Sequence, residues 1–163
     1  MDAISQARGQ LLYPVLWERL QKLDQQCQDG PLAVKLRIVQ GFRSWNDQEA
    51  LYAQGRTAPG KIVTEARGGW SAHCFGYAAD ICPDDSAFPA WHPDWNQRDE
   101  RWNTLLTNAL NVGLAEGAQW RTFPDTPHLY LPELPATPDD EMRYLFHEKG
   151  LSGVWANWEG KFN

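Results

Sequence analysis

Two short segments of this chain pair an imidazole with a carboxylate. In the first, His73 and Asp80 stand seven residues apart, on either side of Gly76. In the second, Asp125 stands three residues before His128. Two histidines and one aspartate complete the protein ligand set of a catalytic zinc ion, which keeps its fourth position open for water. The remaining carboxylate is then free to act as a general base on that water. The pattern therefore predicts a zinc hydrolase.

The spacing of the first pair requires a bend in the backbone. On one continuous helix, residues seven apart lie about 10 Å apart along the axis, whereas each zinc ligand must lie about 2 Å from the metal. Gly76 is where the chain can bend at low cost. The apolar segment 77–82 that follows is typical of a short buried strand. We therefore expect His73 on the loop that enters this strand, and Asp80 pointing inward from it.

The second pair predicts a loop followed by a strand. Pro127 disfavours helical backbone at Thr126, which assigns Asp125 to a loop and lets His128 open a strand over 128–131. Either pair alone is also typical of a surface histidine near an aspartate. The two pairs together, each beside an apolar strand, favour the metal site.

The same residues resemble a known family of peptidases. Ser-x-His-x-x-Gly-x-Ala-x-Asp at 71–80, followed by Asp-x-Pro-His at 125–128, is similar to the zinc D-alanyl-D-alanine carboxypeptidases and dipeptidases. It resembles more closely the L-alanyl-D-glutamate endopeptidases, which cleave bacterial peptidoglycan stem peptides and include many bacteriophage endolysins. The endopeptidase pattern is also matched by segments 41–44, 48–57, 59–64 and 66–69. The resemblance covers about residues 32–131.

This resemblance implies a fold and a set of roles. We expect an α+β fold of the Hedgehog/D-alanyl-D-alanine-peptidase type, a single compact domain in which a small antiparallel sheet carries the zinc site and helices flank it. One catalytic Zn2+ would be bound by His73, Asp80 and His128. Asp125 would act as the general base, and Arg43 would stabilise the oxyanion or hold a substrate carboxylate.

One position departs from the family pattern, and four other side chains have less defined roles. Leu129-Tyr130 follows the second histidine, where the family commonly has Phe-Glu; the ligand set is unaffected. Ser71 is interpreted as a hydrogen-bonding residue near the site or as a simple turn residue. Cys82 is expected to be a buried apolar side chain, with a thiolate ligand as the alternative. His92 and His147 have no motif partners and are expected to be structural or on the surface.

Composition and charge limit the kinds of molecule that this chain is expected to bind. The formal net charge of −6 argues against a general nucleic-acid binder, and no stretch approaches the length of a transmembrane helix. Residues 1–6 lack the basic and apolar regions of a secretory signal. We therefore expect a monomer without stable membrane insertion, held in the host cytoplasm until a holin-type protein releases it to bacterial peptidoglycan in the periplasm. Three cysteines, an odd number, fit reduced thiols in the cytoplasm.

Further elements must position the two metal segments. Apolar periodicity, caps and alternation predict helices over 9–27, from Asn46 or Asp47 to Gln54, over 99–112 and over 140–149, and a strand over 34–39. The polar, glycine-rich segment 56–72 is predicted to be a long functional loop.

The domain organisation follows from the length. A chain of 163 residues has the size of one domain. We expect a single peptidase catalytic domain over 1–163, with a core over about 9–131 and a C-terminal helix and Trp-bearing tail over 132–163. The end of that tail, 153–158, is expected to be a packed strap, with a small wall-contact element as the alternative.

Three functions stay open from the sequence. The first is an endolysin-like L-alanyl-D-glutamate endopeptidase that lyses the host wall. The second is a D-alanyl-D-alanine carboxypeptidase, and the third is a non-catalytic zinc-bearing module that binds the wall. Asp125 argues against the third because a structural zinc needs no base. The pattern over 41–70 favours the first over the second.

Overall fold

The computed structural model describes residues 1–84, 90–121 and 124–162. Within these residues the α-helices are α1 (Ala3–Gly9), α2 (Pro14–Asp29), α3 (Trp45–Ala53), α4 (Glu100–Asn111) and α5 (Asp140–Ala156). The strands are β1 (Leu36–Gln40), β2 (Ala78–Pro83), β3 (Ala115–Gly117) and β4 (Asp125–Tyr130), and a 3-10 helix spans Ala72–Phe75. In the described part of the chain, no helix is long and apolar enough to cross a membrane.

The four strands form one antiparallel sheet in the order β1-β2-β4-β3. Helix α1 packs on β1, and α4 packs on α2 and against β2 and β3. This is the α+β fold that the sequence predicts, a compact domain in which a small antiparallel sheet is flanked by helices.

The core lies between α2, α4 and the sheet. Helix α2 buries apolar side chains at the spacing of a helix face, and the facing positions of the strands are equally buried. The fully buried residues include Leu16, Leu20, Leu23, Trp102, Leu105, Ile38, Ile81 and Leu129. The burial of these side chains fixes β2 and β4 side by side, and these two strands carry three of the predicted site residues.

The helix expected over 9–27 is α2, which begins at Pro14 rather than at residue 9, and a separate helix precedes it. Helix α1 ends at Gly9, and α2 begins at Pro14 and continues to Asp29. Proline is favoured at the first position of a helix because its missing N–H has no intrahelical partner there. The preceding residue, Tyr13, instead donates its backbone N–H to the carbonyl of Gly76 at 2.8 Å.

The assignment of Asp125 to a loop is wrong. Strand β4 begins at Asp125 rather than at His128, and Asp125 pairs with Gly117 of β3. Pro127 is compatible with the strand because extended backbone is what a proline imposes on its predecessor. Asp125 and His128 therefore belong to one strand.

Other boundaries differ by a few residues. Ser44, rather than Asn46 or Asp47, caps α3 by accepting a hydrogen bond from the backbone N–H of Asp47 at 3.1 Å. Helix α5 consists of two helical halves that meet at Gly150: the first ends at Lys149, as the sequence predicts, and the second continues to Ala156. Gly150 has non-helical backbone (φ 66°) that glycine adopts readily.

Candidate active site

His73 lies in the 3-10 helix that precedes β2. This helix ends at Gly76, whose φ of 74° is the left-handed conformation that glycine adopts most readily, so the predicted bend is where the sequence places it. The imidazole is 3% exposed, and its Nδ1 lies 2.8 Å from the carbonyl oxygen of Gly41. A carbonyl oxygen only accepts, so Nδ1 carries the proton in the neutral ring. The lone pair is then on Nε2.

The sheet places Asp80 beside His128. These two residues are direct partners across β2 and β4, and directly opposed residues project to the same face of a sheet. The Oδ1 atom of Asp80 lies 3.2 Å from His128 Nδ1 and 3.2 Å from His73 Nε2. The two imidazole nitrogens lie 3.1 Å from one another.

The three donor atoms have the geometry of a metal site. A tetrahedral zinc ion with bonds of about 2.0–2.1 Å places its ligand atoms about 3.3 Å apart, close to the distances found here. His73 Nε2 and Asp80 Oδ1 both present lone pairs to each other, an arrangement that a cation between them stabilises. His73, Asp80 and His128 are the group of metal-ligating side chains within the described residues whose donor atoms converge in this way. Their nitrogen and oxygen donors suit zinc.

Aromatic rings flank the imidazole of His128. The Trp120 ring lies 4.8 Å from it and the Tyr130 ring 5.9 Å, measured between centroids. Tyr130 occupies the position at which the family pattern carries a glutamate, so aromatic rings lie on this side of His128. His128 Nε2 is buried and has no hydrogen-bond partner among the described residues. Trp120 follows β3 and lies in no motif, so the sequence did not identify it as a neighbour of His128.

The charges around Asp80 keep it ionised. Burial alone raises the pKa of its carboxyl; when the imidazole nitrogens that face it carry protons, attraction to His73 and hydrogen bonds from both rings outweigh burial. The net result is a pKa well below the ordinary value of an aspartate. An ionised Asp80 is the form that binds a metal.

Asp125 has the opposite shift. Its carboxyl is half-buried beside the cluster, and burial together with repulsion from Asp80 raises its pKa. Attraction to His128, His73 and Arg43 offsets only part of this rise. A carboxylate whose pKa is raised toward the working pH is a more effective general base.

Arg43 is held by a buried glutamine. Its guanidinium donates to Gln48 Oε1 at 2.7 Å, and Gln48 donates in turn to the carbonyl of Ala66 at 2.8 Å. Gln48 is fully buried, so it ties Arg43 to the 56–72 loop. Gln48 lies in the segment 48–57 that matches the endopeptidase pattern, but the sequence does not indicate that it contacts Arg43.

The cluster opens into a groove of about 1280 Å³. Its walls come from the 56–72 loop, the segment after β3 and the connector before α5. The predicted residues Arg43, His73, Asp80, Asp125 and His128 all line it. Arg67 and Arg121 add positive charge to the same walls.

The sequence profile of the VanY family, D-alanyl-D-alanine carboxypeptidase, matches residues 10–120. The chain belongs to the VanY family. CwlK, a peptidoglycan L-alanyl-D-glutamate endopeptidase of Bacillus subtilis (strain 168), is 42% identical to the chain over 96 residues. That match covers 56% of this chain and 58% of CwlK, so the chain spans less than two thirds of the length of this relative.

Solved structures show the same fold. The L-Ala D-Glu endopeptidase ChiX of Serratia marcescens superposes with a TM-score of 0.53 at 16% identity, over 80% of this chain and 88% of that one. The LD-carboxypeptidase LdcB gives a TM-score of 0.53 at 22% identity, over 74% of this chain and 65% of that one. At these identities the likeness establishes a shared fold and nothing finer.

The remaining candidates lie apart from the donor atoms of this VanY chain. Cys82 is buried and its thiol lies 3.4 Å from the carbonyl of Asp94; burial raises the pKa of Cys82 to about 12, which disfavours a thiolate. Ser71 lines the groove and its carbonyl accepts the N–H of Cys74 at 2.9 Å, as in a turn. His92 is exposed, and His147 packs edge-on against Trp45.

Proposed function

We propose that this chain is a zinc-dependent peptidase that hydrolyses the L-alanyl-D-glutamate bond of peptidoglycan stem peptides. The observation that carries the proposal is the convergence of His73, Asp80 and His128 to donor distances of 3.1–3.2 Å at the wall of a groove that also holds Asp125. A site that only stabilises structure needs four protein ligands. Three ligands beside a free carboxylate are typical of a catalytic centre.

The chemistry divides between the ion and the side chains. Bound zinc supplies a Lewis acid that polarises the scissile carbonyl and lowers the pKa of a water. Asp125 accepts a proton from the attacking water as its oxygen bonds to the carbonyl carbon. Arg43 faces the negative charge that develops on the carbonyl oxygen. When the carbon–nitrogen bond breaks, Asp125 returns the proton to the leaving amine.

The choice of bond is supported by the CwlK relative and by the motif segments over 41–70. The alternative is a D-alanyl-D-alanine carboxypeptidase, which the description of the VanY family favours. An endopeptidase must accept chain on both sides of the bond, whereas a carboxypeptidase holds a terminal carboxylate. The two enzymes therefore release different products from the same stem peptide.

Mass spectrometry of muropeptides tests both. Zinc-loaded protein incubated with purified sacculi is expected to release peptides that begin with D-glutamate, and little free D-alanine. Free D-alanine as the main product would replace the endopeptidase with the carboxypeptidase. Binding to sacculi without any product would instead support the non-catalytic module.

We extend the proposal to an endolysin-like role in which a bacteriophage product lyses the host wall. The support is the similarity of the motif segments to the endopeptidase subgroup that includes such enzymes. Co-expression with a holin-type protein is expected to lyse cells, while expression of either protein alone leaves them intact. Lysis by the holin-type protein with an Asp125→Ala variant would contradict this role.

A further inference from the structure

Residues of helix α5 contact both ends of the site segment 70–77. This segment carries His73 in a 3-10 helix of four residues, and hydrogen bonds in 3-10 helices have poorer geometry than in α-helices. Within the segment, Cys74 donates to the carbonyl of Ser71 at 2.9 Å and Gly76 to that of His73 at 3.3 Å. The segment therefore depends on neighbouring elements to hold the imidazole in place.

The first half of α5 packs against Trp70 and Phe75 of this segment. Phe146 stacks on Trp45 with ring centroids 4.5 Å apart and lies edge-on to Phe75 at 5.8 Å. The guanidinium of Arg143 lies 3.9 Å from the centre of the Trp70 ring. These contacts reach the residue before Ser71 and the residue after Cys74.

The second half of α5 contacts Phe75 and Gly76. Trp155 donates its indole N–H to the carbonyl of Phe75 at 2.8 Å, and a Cβ on Gly76 would lie 3.1 Å from the Trp155 ring. Trp158, just past the helix, is fully buried and edge-on to Tyr77 at 5.4 Å.

The break in α5 allows both halves to reach one segment. Gly150 has a φ of 66° and no atom within 4 Å of a Cβ placed on it, so the glycine is required by the backbone turn and not by space.

The VanY profile ends at residue 120, so α5 lies beyond the part of the chain that the profile describes.

We propose that α5 positions His73 and thereby sets the zinc affinity of the site, with Trp155 and Phe146 as the positioning residues. A zinc ligand must be held within a few tenths of an ångström of its bonding distance. Trp155 fixes the Phe75 carbonyl, two residues from His73, and Phe146 fixes the Phe75 ring. This inference rests on the proposed function to the extent that His73 is a zinc ligand.

The test compares zinc affinity with stability in the full chain. Trp155→Phe removes the N–H but keeps a ring, and Phe146→Leu removes the stack on Trp45. Leu23→Ala is the control, because Leu23 is fully buried in α2 and its loss lowers stability without touching the 70–77 segment. Zinc dissociation constants are measured at 25 °C by competition with a chromophoric chelator, and unfolding midpoints by circular dichroism.

Both α5 variants are expected to bind zinc about tenfold more weakly, the lower end of the loss typical for groups that orient a ligand. Leu23→Ala is expected to lower the unfolding midpoint and leave the zinc dissociation constant unchanged. Unchanged affinity in both α5 variants, with His73→Ala unable to bind zinc, would overturn the positioning role while leaving the metal site intact. Full zinc binding by His73→Ala would overturn both.

Discussion

Gly117 faces Asp125 across β3 and β4 so closely that a Cβ on Gly117 would lie 2.8 Å from the Asp125 carbonyl oxygen. The same Cβ would lie 3.1 Å from the Cβ of His128. The pairing of the strands shifts between Glu116 and Gly117, so this approach occurs at an irregularity in the ladder. The absence of a side chain at Gly117 thus lets β3 support the strand that carries both the proposed base, Asp125, and the proposed metal ligand His128.

Gly117→Ala is expected to lower turnover by displacing Asp125. The added methyl group meets backbone at a distance that atoms do not tolerate, and overpacking of this kind costs about 1–3 kcal/mol. Steady-state kinetics and zinc content together measure the effect, and zinc is expected to be retained in part. Gly30→Ala, which meets backbone at a milder 3.3 Å at the end of α2, is the control. Equal activity in the two variants would show that β4 accommodates the added methyl group without displacing Asp125.

Loss of any one ligand is expected to remove zinc and activity together. His73→Ala, Asp80→Ala and His128→Ala each leave two protein ligands where a catalytic zinc needs three. Elemental analysis of the purified variants measures the zinc, and hydrolysis of sacculi measures the activity. Full zinc occupancy in any of the three would remove that residue from the ligand set.

The sequence predicted the clustering of His73, Asp80 and His128 better than it predicted the side chains around them. The bend at Gly76 and the strand after it follow from local conformational preference, which a sequence carries directly. The partnership of Asp80 with His128 depends on the register between β2 and β4, and neither strand encodes that register alone. The contacts of Gln48 and Trp120 join positions distant in sequence. They could not be predicted, because no local pattern distinguishes a glutamine or tryptophan that packs at a site from one that packs elsewhere.

Asp125→Ala is expected to keep zinc and lose activity. General-base catalysis typically contributes ~10²–10⁴-fold to the rate, and Asp125 makes no metal contact in the proposed arrangement. Glu65→Gln is the matched control, since Glu65 also lines the groove but pairs with Arg56 at 2.8 Å. Near wild-type hydrolysis by folded, zinc-loaded Asp125→Ala would transfer the role of base to another carboxylate.

Arg43→Gln is expected to shift the acid limb of the pH–rate profile upward. The base must be deprotonated to act, so activity falls as pH drops through the pKa of Asp125. Burial and Asp80 raise that pKa, and the charge of Arg43 is among those that lower it. Removing this positive charge disfavours the carboxylate form and raises the pKa further. The acid limb of the pH dependence of kcat/KM measures the shift, and Arg56→Gln is the control. An acid limb at the same pH in Arg43→Gln and wild type would show that Arg43 does not influence the pKa of the base.

Arg67 is expected to bind the carboxylate that the D-glutamate residue carries beside the bond to be cut. Arg43 already donates one hydrogen bond to Gln48, whereas the Arg67 guanidinium is exposed at the groove wall, 5.1 Å from the centre of the Tyr52 ring. A hydrogen bond to a charged group contributes about 1.5–3 kcal/mol.

Arg67→Gln is therefore expected to raise KM by about 10–100-fold for stem peptides with a free D-glutamate α-carboxylate, with kcat little changed. Peptides in which that carboxylate is amidated offer no charge to Arg67, so wild type and variant should bind them equally. Arg121 is a second arginine in the wall of the same groove. Arg121→Gln therefore distinguishes a specific contact of Arg67 from a general loss of positive charge. An equal rise in KM for free and amidated peptides would show that Arg67 shapes the groove without binding the carboxylate.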